Sequence, residues 1–150
     1  MIIRASLIAI ALLSSVSVTA SNGLITLKSA SDVTTTADKL EQALLAKGMT
    51  VFARLDHGQA AQQVDVDLRP TQLVIFGNPK VGSPLMACRQ TVGIDLPQKA
   101  LIYQDQQGQV WLSYNDPTYL ATRHDINGCD AVLAKIEAAL AGFAKVATSE

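Results

Sequence analysis

At 150 residues with 12 basic and 13 acidic side chains, the chain is close to neutral. That balance excludes the basic stripe with which a nucleic-acid binder displaces counterions from phosphates. No polybasic segment or basic amphipathic helix is present to hold an anionic membrane surface. The length suits one ordinary domain with one core, and no repeat, low-complexity tract or long linker divides it.

Residues 1–20 read as a cleavable export signal. Arg4 supplies the positive end, Ala5 to Val18 are apolar apart from serines, and Val18-Thr19-Ala20 places small side chains where a signal peptidase looks. The run is shorter than the roughly 20 apolar residues that a permanent membrane helix needs, a retained anchor being the alternative. No Cys sits near the cut, so a lipid anchor is not indicated. The expected product is a single periplasmic or secreted domain, residues 21–150, with no membrane contact after cleavage. Losing Arg4 takes the 12 basic residues to 11 against 13 acidic ones, a formal charge of −2.

Leu24 to Lys28 alternates after a Gly and predicts a strand. Ser31 to Lys47 carries Val33, Ala37, Leu40 and Leu44 at helical spacing, and Gly48 ends it. Thr50 to Leu55 predicts a second strand, antiparallel or adjacent to the first, with Asp56-His57-Gly58 as its turn. Gln59 to Val66 reads as one short helical turn. Thr71 to Phe76 is the most apolar strand candidate and stops at Gly77. A loop with prolines and glycines follows, and Ser83-Pro84 offers an N-cap and N1 proline for a short helix. Gln98 to Gln104 and Gln109 to Tyr114 predict a hairpin turning through residues 105–108. Asp116-Pro117 starts another short helix, to about Arg123. Asn127 or Gly128 opens the last one, with Val132, Ile136, Leu140 and Phe143 as its apolar stripe, and polar tails remain at Ser21-Asn22 and Ala147 to Glu150. The order β-α-β-(α)-β-α-β-β-α-α predicts an α+β fold, a mainly antiparallel sheet packed against helices.

Cys88 and Cys129 form an even pair, which in an oxidising compartment favours a disulfide. It would close a loop of roughly 40 residues, worth about 4 kcal/mol in the chain-entropy model. A redox pair or two thiolate ligands are the alternatives, although no CxxC spacing is present.

The segment Gly77-Asn78-Pro79-Lys80-Val81-Gly82-Ser83 has the glycine spacing of a phosphate loop. Its Lys, however, sits inside the loop, and Pro79 removes a backbone N–H, so a nucleotide P-loop is ruled out. A weaker anion site at Lys80, or a rigid connector, are the readings left. His57 and His124 each adjoin an acidic residue without HxH or HExxH spacing, which favours exposed or capping histidines over a metal site. No nucleophile sits in a GxSxG context. Asp65 and Asp67 read as a solvated face. Tyr103, Trp111, Tyr114 and Tyr119 crowd one third of the chain, where core packing is favoured over a pocket lining. No cofactor and no metal is expected.

The runs Val74-Ile75-Phe76-Gly77-Asn78-Pro79-Lys80, Gly82-Ser83-Pro84-Leu85-Met86, Gly93 to Leu101 and Trp111 to Pro117, with Leu120-x-x-Arg123-His124, resemble the DUF302 family over roughly Leu24 to Phe143. The resemblance implies a compact α+β domain that pairs as a homodimer, and it brings no reaction. The positions matching its pattern that could form a polar cluster are His57, Asn78, Lys80, Asp95, Tyr114, Asn115, Arg123 and His124. Cys88 and Cys129 look like a feature of secreted members.

The leading functional expectation is a small-ligand binding module. Its cleft would lie among residues 77–84, the Tyr114–Asp116 turn and Arg123-His124, where Lys80 and Arg123 would favour a small anionic ligand. The alternatives are an enzyme with His57 or His124 as general base, and a structural or assembly partner.

Overall fold

The structure, a computed structural model, describes residues 19–150. The export signal expected at residues 1–20 falls outside them, except for Thr19 and Ala20 in a short first strand. The chain runs β1 (Thr19–Ser21), β2 (Leu24–Lys28), α1 (Val33–Ala46), β3 (Thr50–Asp56), α2 (His57–Gln62), β4 (Thr71–Gly77) and α3 (Pro79–Cys88). A 3₁₀ turn (Gln90–Ile94), β5 (Gln98–Gln104), β6 (Val110–Asn115), α4 (Pro117–Arg123) and α5 (Asp130–Thr148) complete it. Every strand pairing in the sheet, ordered β1-β2-β6-β5-β4-β3, is antiparallel. The α+β architecture is therefore the one the sequence predicts.

Alternation in the strands creates the core. Val74 and Phe76 of β4, Ala100 and Ile102 of β5, and Leu112 and Tyr114 of β6 point to one face and are buried there. Helices α1 and α5 pack on that face and on each other. The α1 stripe Val33, Ala37, Leu40 and Leu44 is wholly buried, and α5 adds Ile136, Leu140 and Phe143. Burying one such Leu, Ile or Phe side chain contributes about 1.5–3 kcal/mol, so this layer is the main source of stability. The opposite face of the sheet carries half-buried Leu73, Ile75 and Leu101.

Several boundaries differ from the sequence reading. Strand β3 is neither adjacent nor antiparallel to β2; β6, β5 and β4 lie between them, because the hairpin β5–β6 inserts beside β2. Asp56-His57-Gly58 is not a turn. The Asp56 carboxylate accepts from Gln59 N at 2.8 Å and starts α2 at His57. Helix α3 begins at Pro79 rather than Ser83, since Asn78 is its N-cap and Pro84 lies inside the helix. The last helix opens at Asp130, after Gly128 turns with φ 76°. Residues Ala147 and Thr148 are no tail but the buried end of α5, where Thr148 O accepts from Ala30 N at 3.0 Å. Asp65 and Asp67 lie exposed in the α2–β4 connection instead of on a strand.

Candidate functional site: an apolar cavity between α3 and α5

At the end of the sheet where β4 leaves and β5 enters, a cavity of about 410 Å³ opens between α3 and α5. Phe76 and Gln98, partners in the β4–β5 ladder, line its sheet side. Leu96 and Pro97, joined by a cis peptide bond, close a second side. Val81, Gly82 and Met86 of α3 face Ile136, Ala139 and Phe143 of α5 across it. The volume is that of an ordinary small-molecule site, and the lining is largely apolar.

Local sequence features build these walls. Between Val51 and Ala53 the β3–β4 register slips, leaving Phe52 as the extra residue of a bulge. Such a bulge re-aims a side chain; here Phe52, 54% exposed, lies at the cavity rim. Its ring rests against Gly77, where a Cβ would stand only 3.3 Å from Phe52 Cε2. Asn78 Oδ1 accepts from Lys80 N at 2.9 Å while its amide donates to Gly48 O at 3.2 Å, so one side chain both starts α3 and ties it to the α1–β3 turn. At the far end of α3, Cys88 is bonded to Cys129 at the head of α5, with Cα atoms 6.5 Å apart. The disulfide reading of the two cysteines is thereby the one the structure supports.

A second polar constellation braces the cavity wall from behind. His124 caps α4 and is almost wholly buried. Its Nε2–H donates to Asp95 Oδ2 at 2.5 Å, and Nδ1 shares a hydrogen bond with the Thr91 hydroxyl at 3.2 Å. Arg123 Nε lies 3.6 Å from the same Asp95 oxygen. Arg89 donates to His124 O at 2.7 Å and pairs with Asp125 at 2.8 Å. Thr91 and Asp95 belong to the segment that supplies Gly93, Leu96 and Pro97 to the cavity, so these bonds fix that segment onto α4. Hydroxyl, imidazole and carboxylate have the types of a nucleophile, base and orienter. Both ring nitrogens are engaged, one by the exposed Thr91 hydroxyl and one by Asp95, and the same bonds clamp residues 91–95 to the end of α4.

Of the eight polar positions singled out from the sequence, Asp95, Arg123 and His124 converge. The others do not join them. Asn78 is a helix cap, and the Lys80 side chain makes no hydrogen bond or ion pair among the described residues. His57 is exposed at the end of β3 opposite the cavity, and Asn115 ends β6 against Leu24. Tyr114 is buried in the core, where desolvation, then the nearby Asp116 and Glu137 charges, raise its phenol above the ordinary value. The expected cleft among residues 77–84, Tyr114–Asp116 and Arg123-His124 is thus corrected. Residues 77–79 and 81–83 do line a cavity, but without Lys80, and its other walls come mainly from α5, Leu96–Gln98, Phe52 and Phe76. The aromatic cluster likewise stays out of it: Trp111 Nε1 donates to Asp105 at 2.6 Å in the hairpin, Tyr119 lies on Gly23, and Phe52, Phe76 and Phe143 line the cavity instead.

Residues 25–143, from β2 through most of α5, match the family described as "Domain of unknown function DUF302". The chain belongs to the DUF302 family. The chain is similar to a "Fluoride-specific ion channel FluC 1" of Brucella suis biovar 1 (strain 1330), 44% identical over 105 residues, 70% of this chain and 41% of that protein. A "Fluoride-specific ion channel FluC 2" of Brucella melitensis biotype 1 matches at 44% over 105 residues, 39% of its length. The chain spans about two-fifths of the curated relatives it matches. No helix among the described residues is long and apolar enough to cross a membrane.

The DUF302 fold itself is seen in the "Crystal structure of uncharacterized conserved protein DUF302 from Bacillus stearothermophilus". That structure superposes with a TM-score of 0.76 at 22% identity, covering 85% of this chain and 99% of that one. The likeness establishes the architecture. Within it, the candidate site residues that the sequence did not disclose are those lining the cavity, above all Phe52, Met86, Gln98 and Phe143. In the sequence Phe143 reads only as part of the α5 stripe and Gln98 only as the start of a strand, while the exposed apolar Val81 and Met86 on α3 are the one signal that could have pointed to a site.

Proposed function

We propose that this DUF302 domain binds a small, largely apolar molecule in the cavity between α3 and α5. The observation that carries the reading is the cavity itself, about 410 Å³ with an apolar lining, braced by a disulfide at one end and the His124–Asp95 clamp behind. An apolar wall held open by covalent and charged ties has no obvious use in stability, since filled cores are the stabler arrangement. The anionic ligand expected from Lys80 and Arg123 is not retained, because neither side chain lines the cavity. Nor is the fluoride transport named for the Brucella relatives: the matched part is two-fifths of those proteins, and fluoride requires a close set of donors that this lining does not supply. The periplasmic or secreted location is kept as part of the proposal, resting on residues 1–20 and the disulfide.

Fluorescence titration with N-phenylnaphthylamine tests the reading. Saturable binding at one site is expected, weakened at least about tenfold by Gly82→Leu, whose side chain would enter the cavity. A Cβ at Gly82 meets only Leu96 Cδ1, at 3.7 Å, so the variant should fold. Saturation unchanged in Gly82→Leu would place the probe elsewhere and reject the site.

A further inference from the structure

Gln98 is an anomaly in this cavity. It is the first residue of β5 and faces inward with Ala100 and Ile102, opposite Phe76. It is only 8% exposed. Its carboxamide makes no hydrogen bond among the described residues, and because no fully buried polar side-chain atom there goes unpaired, its oxygen and nitrogen are open to the cavity it borders. The other polar lining side chains differ from it. The Asn78 amide is spent on Lys80 N and Gly48 O, while Ser83 and Lys135 stand exposed at the rim. A primary amide in an apolar wall is costly unless its donors and acceptor are met. At this position an apolar residue of similar volume would complete the floor beside Phe76, so packing does not explain the glutamine.

We infer that Gln98 is the recognition residue of this cavity, and that its ligand is an uncharged, largely apolar molecule carrying one amide-type donor–acceptor group. The inference rests on the proposed binding function and deepens it. A carboxamide offers N–H donors and a carbonyl acceptor side by side, and a ligand amide or lactam presents the complementary edge to both. A carboxylate would satisfy the N–H side and leave Gln98 Oε1 facing a negative charge. A full charge at this depth would also lose its hydration against apolar walls, with the one charged lining residue, Lys135, out at the rim. An alcohol would engage one side only. The apolar body of the ligand would lie along Met86, Leu96 and Phe143.

Calorimetric titration of the disulfide-intact protein with octanamide, octanol and octanoate, each against wild type, Gln98→Leu and Gln98→Met, tests this. The expected order for wild type is octanamide tightest, by about fivefold over octanol, with octanoate weakest. Both variants should bind octanol at least as well as wild type and lose the preference for the amide. Their melting temperatures should stay close to that of wild type, because the carboxamide makes no hydrogen bond that the fold would lose. Equal octanamide and octanol affinities in all three proteins would overturn the role of Gln98 and leave the cavity reading standing. Octanoate binding tightest would replace an amide ligand with an acid. A large drop in melting temperature in both variants would show that Gln98 serves the fold. Failure of all three compounds to bind wild type would reject cavity and inference together.

Discussion

Tyr114 shows how a single side chain reports on its surroundings. It sits on β6 facing the core, partnered in the ladder by Ala100 on one side and Ile25 on the other. Burial, then the charges of Asp116 and Glu137, push its ionisation above the ordinary 10.0. A group whose folded-state pKa is raised contributes stability that is complete below the unfolded value and is lost as pH rises through the folded one. The protein should therefore lose stability with an alkaline limb beginning near pH 10, and Tyr114→Phe should flatten that limb. Thermal melts of both proteins at neutral and strongly alkaline pH check this; identical alkaline losses would assign them to other groups. Asp105 behaves oppositely. The Trp111 indole N–H holds its carboxyl below the ordinary range, so the hairpin is firmest above the acid range.

Among the elements, α3 and α5 matter most, because the cavity exists only while they stand apart at the sheet and meet at Cys88–Cys129. The bridge spans 41 positions and is expected to contribute about 4 kcal/mol by restricting the unfolded chain. A Cys88→Ser, Cys129→Ser double variant should lower the denaturant midpoint accordingly and weaken N-phenylnaphthylamine binding at temperatures where it is still folded. Loss of stability with unchanged probe affinity would mean that the clamp at His124 alone keeps the walls in place. The start of α3 also shows where local sequence rules compete. Asn78-Pro79 and Ser83-Pro84 carry the same N-cap and N1-proline signal five residues apart. The earlier pair wins, since Asn78 finds a second partner in Gly48 O that only the folded chain can supply, and Pro84 is then carried inside the helix.

For the whole molecule, what was legible in the sequence was whatever depends on neighbours along the chain. The stripes Val33-Ala37-Leu40-Leu44 and Ile136-Leu140-Phe143, the hairpin of β5 and β6 and the Asp116-Pro117 helix start all appear where their periodicity and caps put them. The place of β3 was not legible, because strand order depends on which edges are free once β5–β6 has inserted beside β2. The cavity was hidden for a related reason. Its lining comes from β3, β4, α3, the Leu96–Gln98 entry to β5 and α5, and no single stretch looks like a site. Of the eight polar positions singled out as one cluster, only Asp95, Arg123 and His124 lie together, and their mutual bonds place them behind a wall of the cavity. Helix α5 ties these parts together: its 19 residues, about 28 Å at the usual rise, begin at the disulfide and end where Thr148 O and Ser149 O accept from Ala30 N and Lys39 Nζ. It is a beam pinned at both ends and loaded at mid-span, where Ile136, Ala139 and Phe143 meet the cavity. Such a beam cannot swing aside for a guest; it can only bow or roll, and the reaction is felt at its supports. Amide exchange at Ala30, some distance along the chain from any lining residue, should therefore change when octanamide saturates the cavity, and exchange rates there that ignore the ligand would show a beam too stiff to transmit the load.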